Sequence, residues 1–226
     1  MNDGPIDAVW KPVLVARAKF EAERCHKLMS SRDEIEIEID LAPVQRAAGR
    51  VRDMLTGLRQ RYHLAPFEYT KQVRIAPTEI PHSHPVLTLN SFVRDEVALL
   101  STYLHEQMHW YLTWYSKSRP SDWEALFAQL RARYPQVPAA ADGGAQDEFS
   151  TYLHLVVNWC EVEAASRFVS RETIVQHVGG LPFYSWIYRT VLDDWNELGA
   201  LYREIGVVPM RYATDMSADD LALARE

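Results

Sequence analysis

His105-Glu106-Gln107-Met108-His109 sets two imidazoles four residues apart with a carboxylate between them. On a helix that spacing brings both rings to one face, one turn apart, where their Nε2 atoms reach a single Zn²⁺ at about 2.0 to 2.1 Å. Glu106 is turned about 100° from His105, off the metal but near enough to take a proton from water. The pattern reads as two ligands and a general base for hydrolysis at neutral pH. Leu99, Leu100, Tyr103, Leu104, Met108, Tyr111 and Leu112 surround it with apolar residues. Two histidines and a glutamate in such a setting are costly unless they coordinate or hydrogen-bond something.

A catalytic zinc needs a third protein ligand and an open fourth position. The helical segment after the Pro/Ala/Gly-rich stretch 135–144 offers the candidates. At about 100° per residue, Asn158 falls about 40° and Glu161 about 20° from His154, while Glu163 lies on the opposite side. Glu161 is the expected third ligand and His154 the alternative. Whichever of the two is not a ligand is left to hold the water, orient a ligand or touch substrate, so His154 is also read as catalytic. His154, His177, Tyr184 and Tyr188 are the side chains able to donate to a tetrahedral oxyanion. His82 and His84, flanked by Pro81 and Pro85, read as a surface loop that lines the cleft if it lies beside a substrate-binding strand at Val86–Asn90.

With His105, Glu106, His109 and Glu161 the chain resembles the gluzincin-type zinc metallopeptidases, over about residues 86 to 170. The resemblance implies a zincin-like fold, one Zn²⁺, a peptide or protein substrate, and an edge strand at Val86–Asn90 that pairs with extended substrate. Glu161-Val162-Glu163-Ala164 followed by Phe168 is faintly similar to the second motif of cytoplasmic metallopeptidases that cleave repressors. Ala165, rather than Asp, stands four residues after Glu161.

The elements that must position these residues are mostly helical. The 3.6-residue period predicts helices from Lys11 to about Ser30, Pro43 to His63, Phe92 to Ser116, Ser121 to Tyr134, Ala145 to Val169 and Arg171 to Val178, and a last helix from Tyr184 to Ile205. Ser121 and Glu124 have the form of a capping box. Strict alternation of Ile35, Ile37, Ile39 and Leu41 with Glu34, Glu36, Glu38 and Asp40 predicts a strand with a solvated acidic face. Two further strands are expected at Phe67–Ala76 and Val86–Asn90. The fold class is therefore α+β: one zincin-like domain over residues 1–213, a small sheet packed on the motif helix, a mostly helical C-terminal half, and a frayed acidic tail over 214–226.

Composition narrows the function. Lys and Arg number 24 against 31 Asp and Glu, a net charge of -7, which argues against a nucleic-acid partner. No apolar run is long enough to span a bilayer, and the first seven residues lack the pattern of a secretory signal, so a cytoplasmic protein without a membrane partner is expected. Cys25 and Cys160 read as reduced, buried thiols. Two other functions compete with a metallopeptidase. One is a non-catalytic zinc-binding regulatory protein that docks partners through Trp110, Trp114, Tyr115 and Trp123. The other is a zinc hydrolase of a small amide, which a closed pit rather than an open groove would favour.

Overall fold

The computed structural model describes residues 36–39 and 45–225. The helix expected over Lys11–Ser30, with Cys25 in it, lies outside the described residues, as do Glu34, Ile35, Asp40 and Leu41. The chain runs β1 (Glu36–Ile39), α1 (Gln45–Arg61), β2 (Gln72–Ile75), β3 (Leu87–Leu89), α2 (Glu96–Ser118), α3 (Pro120–Arg133), α4 (Glu148–Ala165), α5 (Arg171–Gly179), α6 (Ser185–Asp193), α7 (Trp195–Ile205) and α8 (Ala218–Leu223). It is a mixed, mostly helical fold with one small sheet. No helix among the described residues is long and apolar enough to cross a membrane.

The three strands are parallel in the order β1-β2-β3, with Ile37 opposite Val73 and Ile75 opposite Leu89. Parallel neighbours require a crossover, and α1 supplies it between β1 and β2. Ala48, Val51, Leu55 and Leu58 form its buried stripe. Glu36 is exposed, as a solvated acidic row requires. The second strand is shorter than the Phe67–Ala76 expected: Phe67 ends a 3₁₀ turn, Ala65–Phe67, and pairing begins only at Gln72.

Helix α2 is the centre of the molecule. Asp95 caps it by accepting from the Ala98 N–H, and it is buried nearly all round, from Leu99 to Tyr115. A helix with no wet face needs neighbours on every side. It packs against α4 most extensively, and against α1, α3, α5, α8 and β3. Gln107, inside the motif, is fully buried and clamps the backbone of Thr70, accepting its N–H at 3.0 Å and donating to its carbonyl at 2.9 Å. That pair ties the entry of β2 to the motif helix. Trp110, Trp114 and Tyr115, proposed on sequence as a partner surface, are 1%, 6% and 1% exposed. They are core, because α2 is covered on the face that an isolated helix would show to water.

Three other expectations are corrected. Ser121 and Glu124 form no capping box: α3 starts one residue earlier, at Pro120, where the missing N–H costs nothing. The last long helix is broken into α6 and α7 at Asp194, which leaves helical geometry at ψ 26° with its carboxylate held by Tyr134 at 2.6 Å. Within the acidic tail expected to fray, Ala218–Leu223 form α8, where Ser217 and Asp220 form a capping box and Asp220 also accepts from Trp114 Nε1 at 2.9 Å. Asp220 thus both caps its own helix and fastens it to α2.

Cys160 is a free, fully buried thiol, and burial pushes its pKa well up. It sits in α4 among Leu155, Val156 and Val157, all without exposed surface. Leu155→Ala is expected to destabilise the fold by about 2 to 5 kcal/mol. Urea unfolding followed by circular dichroism measures this, and an unchanged midpoint would show that α4 is not the packed partner of α2.

Candidate metal centre

Helices α2 and α4 run antiparallel along the site: Ser101 and His105 meet Glu161 at one level, and His109 meets His154 at the next. Helical spacing stacks His105 and His109 one turn apart, with ring centroids separated by 5.1 Å. The His154 ring closes the triangle from α4, 5.4 Å from His105 and 5.0 Å from His109. One ring nitrogen from each of the three lies within 4.8 Å of the others, a group able to hold a metal ion.

The hydrogen bonds behind the rings decide which nitrogens face inward. His154 Nδ1 donates to the Ser150 carbonyl at 2.6 Å, one turn back in α4. His105 Nδ1 donates to Glu161 Oε2 at 3.0 Å. A carbonyl oxygen can only accept, so His154 is the Nδ1–H tautomer and its Nε2 carries a lone pair. With a carboxylate behind it, His105 has the same arrangement. Acceptors of this kind orient metal-binding histidines and raise their basicity.

Glu161, expected as the third ligand, stands outside the histidine cluster. Its carboxylate is engaged by three donors, Ser101 Oγ, Tyr188 OH at 2.8 Å and His105 Nδ1, and it has no exposed surface. The helical wheel gave its direction correctly but carried no axial distance. Seven residues separate it from His154, about 10.5 Å along the axis, so the two face different levels of α2. The structure brings His154 to the cluster and sets Glu161 behind His105.

Electrostatics follow from burial. His105, Glu106 and His154 are 9%, 5% and 8% exposed. Burial pushes the Glu106 carboxyl up to about 7, against the pull of His105 and His82 and with a further push from Glu161. Burial lowers His109 and takes His154 down to about 3, with His105 adding repulsion in both cases. Burial also opposes charge on His105, but its hydrogen bond to Glu161 and the nearby carboxylates hold its pKa above the ordinary value. Two of the three rings are thus strongly favoured as neutral bases, the form that binds metal.

Two further segments wall the site. Tyr184 precedes α6 in the left-handed region at φ 55°, the one non-glycine with positive φ among the described residues, a conformation unfavourable for a bulky side chain. The strain is held by Tyr188 N–H on the Tyr184 carbonyl at 2.8 Å and by Trp186 N–H on the Gly143 carbonyl at 3.2 Å. Gly143 is itself at φ 93°, and a Cβ there would come within 2.6 Å of the Trp186 nitrogen. The outcome is a Tyr184 ring set 4.4 Å from His154 and 6.1 Å from His105. Of the four candidate oxyanion donors, His154 joins the cluster and Tyr188 is engaged by Glu161. His177 lies in the last turn of α5, and Tyr184 is the one laid over the rings.

The second wall is the loop with His82 and His84, which packs on the motif helix through Trp110. His82 acts on the charge of Glu106, and His84 on that of His109. The edge strand expected to bind substrate is not free. Leu89 turns its carbonyl to Ala76 on the β2 side at 2.9 Å, while Thr88 faces the outer edge, and its N–H and C=O are both bonded to His82, at 2.8 and 3.1 Å. The cap was not signalled by residue type, since it is main-chain pairing; Tyr184 was among the candidate donors by type, but its place over the rings depends on a backbone strain.

Compared with known proteins, the chain matches no family model, no curated protein and no solved structure. The chemistry of the site therefore rests on its own atoms. The donor set fits a zinc ion: three nitrogens from a cluster with His105 and His154 buried and His109 half-buried, two with an acceptor behind them, and the Glu106 carboxyl near enough to interact with His105. His154→Ala is expected to abolish tight zinc binding, and Glu161→Gln to keep the metal with affinity lowered about 10- to 100-fold. Competition with a chromophoric chelator measures both; loss of metal from the glutamine variant alone would restore Glu161 as the ligand.

Proposed function

We propose that this chain is a zinc-dependent hydrolase of peptide bonds, a metallopeptidase of zincin-like architecture in which His105, His109 and His154 hold the ion. The observation that carries the reading is the meeting of three imidazoles beside a carboxyl raised to about 7 by burial. When bound, zinc lowers the pKa of water and polarises a carbonyl, supplying nucleophile and electrophile together.

The chain's own residues do the rest. Glu106 accepts the proton of the attacking water and hands it to the leaving amine, and a carboxyl whose pKa lies near neutrality is matched to both transfers. Tyr184 is the phenol at hand to donate to the developing oxyanion. Glu161, itself held by Ser101 and Tyr188, fixes the His105 ring in its Nδ1–H form. The substrate is a peptide or protein, and a reducing cytoplasmic setting suits the free thiol of Cys160. A non-catalytic zinc-binding role has less support, because Trp110, Trp114 and Tyr115, three of the four aromatic residues that would form its docking surface, are in the core.

Glu106→Gln is expected to bind zinc as the parent does and to lose at least about 10²-fold in hydrolysis. Peptide-library digestion with and without chelator measures it. A glutamine variant of undiminished turnover would remove Glu106 as the base.

A further inference from the structure

Several features outside the histidine cluster were candidates for a second role. Cavities of about 470 and 330 Å³ adjoin at Pro209 and Arg211, on a face whose lining includes no site histidine. Their arginines are largely answered by Glu163, Asp215 and Asp220. The amide of Asn158, fully buried in α4 between His154 and Glu161, has no partner on either atom, which fits an internal water. The walls of the metal centre carry a stronger conclusion, because they limit what can enter it.

An internal stretch of polypeptide is held in a cleft by adding to a sheet edge, where its main chain pairs with unpaired N–H and C=O groups. It also needs length: two residues on each side of the scissile bond span about 13 Å when extended. At β3, the edge packed on α2, the first provision is missing. Within β3 the outward N–H and C=O, those of Thr88, are taken by His82 at 2.8 and 3.1 Å. The cap is not a loose loop. Ser83 accepts from Trp110 Nε1 at 2.8 Å, the His84 ring stacks on Trp110 at 4.4 Å, and His84 Nε2 donates to the Ala224 carbonyl at 2.9 Å. Trp110 is the residue after the ligand His109, so the loop is bolted to the motif helix itself. Across the site the Tyr184 ring lies 4.4 Å from His154, and α2 and α4 close the floor. His105, Glu106 and His154 keep less than a tenth of their surface.

We infer that the metal centre is a pit rather than a groove, and that its substrates are short amides, dipeptides or the terminal residue of a chain, rather than bonds inside an extended polypeptide. This rests on the hydrolase reading and narrows it. The entering group has to pass between the His82–Pro85 loop and Tyr184, so chain on both sides of the scissile bond collides with the capped edge on one side or the tyrosine on the other. Of the segments given to substrate by the resemblance, β3 becomes a wall.

The experiment uses the whole 226-residue chain, zinc-loaded, with two equimolar libraries, all dipeptides and decapeptides with randomised centres, each with and without chelator. New amines are followed by fluorescamine and cut sites by mass spectrometry. Chelator-sensitive kcat/KM is expected to be at least 10-fold higher for dipeptides, and any decapeptide cleavage to fall at the terminal bond. Internal cleavage of decapeptides at a rate equal to or above that of dipeptides would overturn the pit while leaving the hydrolase standing. Chelator-sensitive cleavage of neither library would sink both. His84→Ala, which removes the ring stack and the bond to Ala224, is expected to shift the ratio at least 3-fold towards internal cleavage. An unchanged ratio in a folded, zinc-replete variant would show that the loop is not the barrier.

Discussion

Three imidazoles turned toward one another inside a desolvated helix pair are the constraint on which everything else in this molecule depends. Lone pairs that face each other away from water have no donor to satisfy them, and burial removes the option of protonating all three. A cation at the centre would resolve the conflict, because it would accept from every ring at once. The surrounding structure is arranged to keep the rings in that orientation. Ser150 and Glu161 hold Nδ1 of His154 and His105, and Ser101 and Tyr188 hold Glu161 in turn.

That orientation requires α2 and α4 to keep their register, and most of the fold serves it. Gln107 fixes α2 to the start of β2, Trp114 and Asp220 fix α8 to its far end, and Leu155, Val156, Val157 and Cys160 of α4 have no exposed surface. The same packing excludes water from Glu106, which brings its carboxyl close to neutrality and so makes it useful as a base. Desolvation thus does two things with one arrangement: it favours His109 and His154 as neutral rings and lifts the Glu106 carboxyl to about 7.

The legible part of the site was the part written along a single helix. His105, Glu106 and His109 need only 3.6-residue periodicity to be placed, and the apolar residues around them announced a buried helix. The third histidine was harder, because its partner helix is distant in sequence and a wheel discards the axial coordinate that separates His154 from Glu161. The cap on β3 was out of reach for a different reason: His82 holds Thr88 through its main chain, which any residue could do. Helix ends followed the same division. Asp95 and Asp147 cap α2 and α4 through their own side chains, whereas the break at Asp194 depends on Tyr134, sixty residues away. The tryptophans of α2 show the converse case, since aromatic residues on a helix look like a docking surface until the rest of the chain covers them.

Zinc K-edge absorption spectroscopy on protein purified without added metal tests the central arrangement most directly. One zinc per chain is expected, with three imidazole nitrogens at about 2.0 to 2.1 Å and the remaining coordination from oxygen. Two imidazoles with a protein carboxylate, or a chain that purifies folded with no stoichiometric metal, would contradict it.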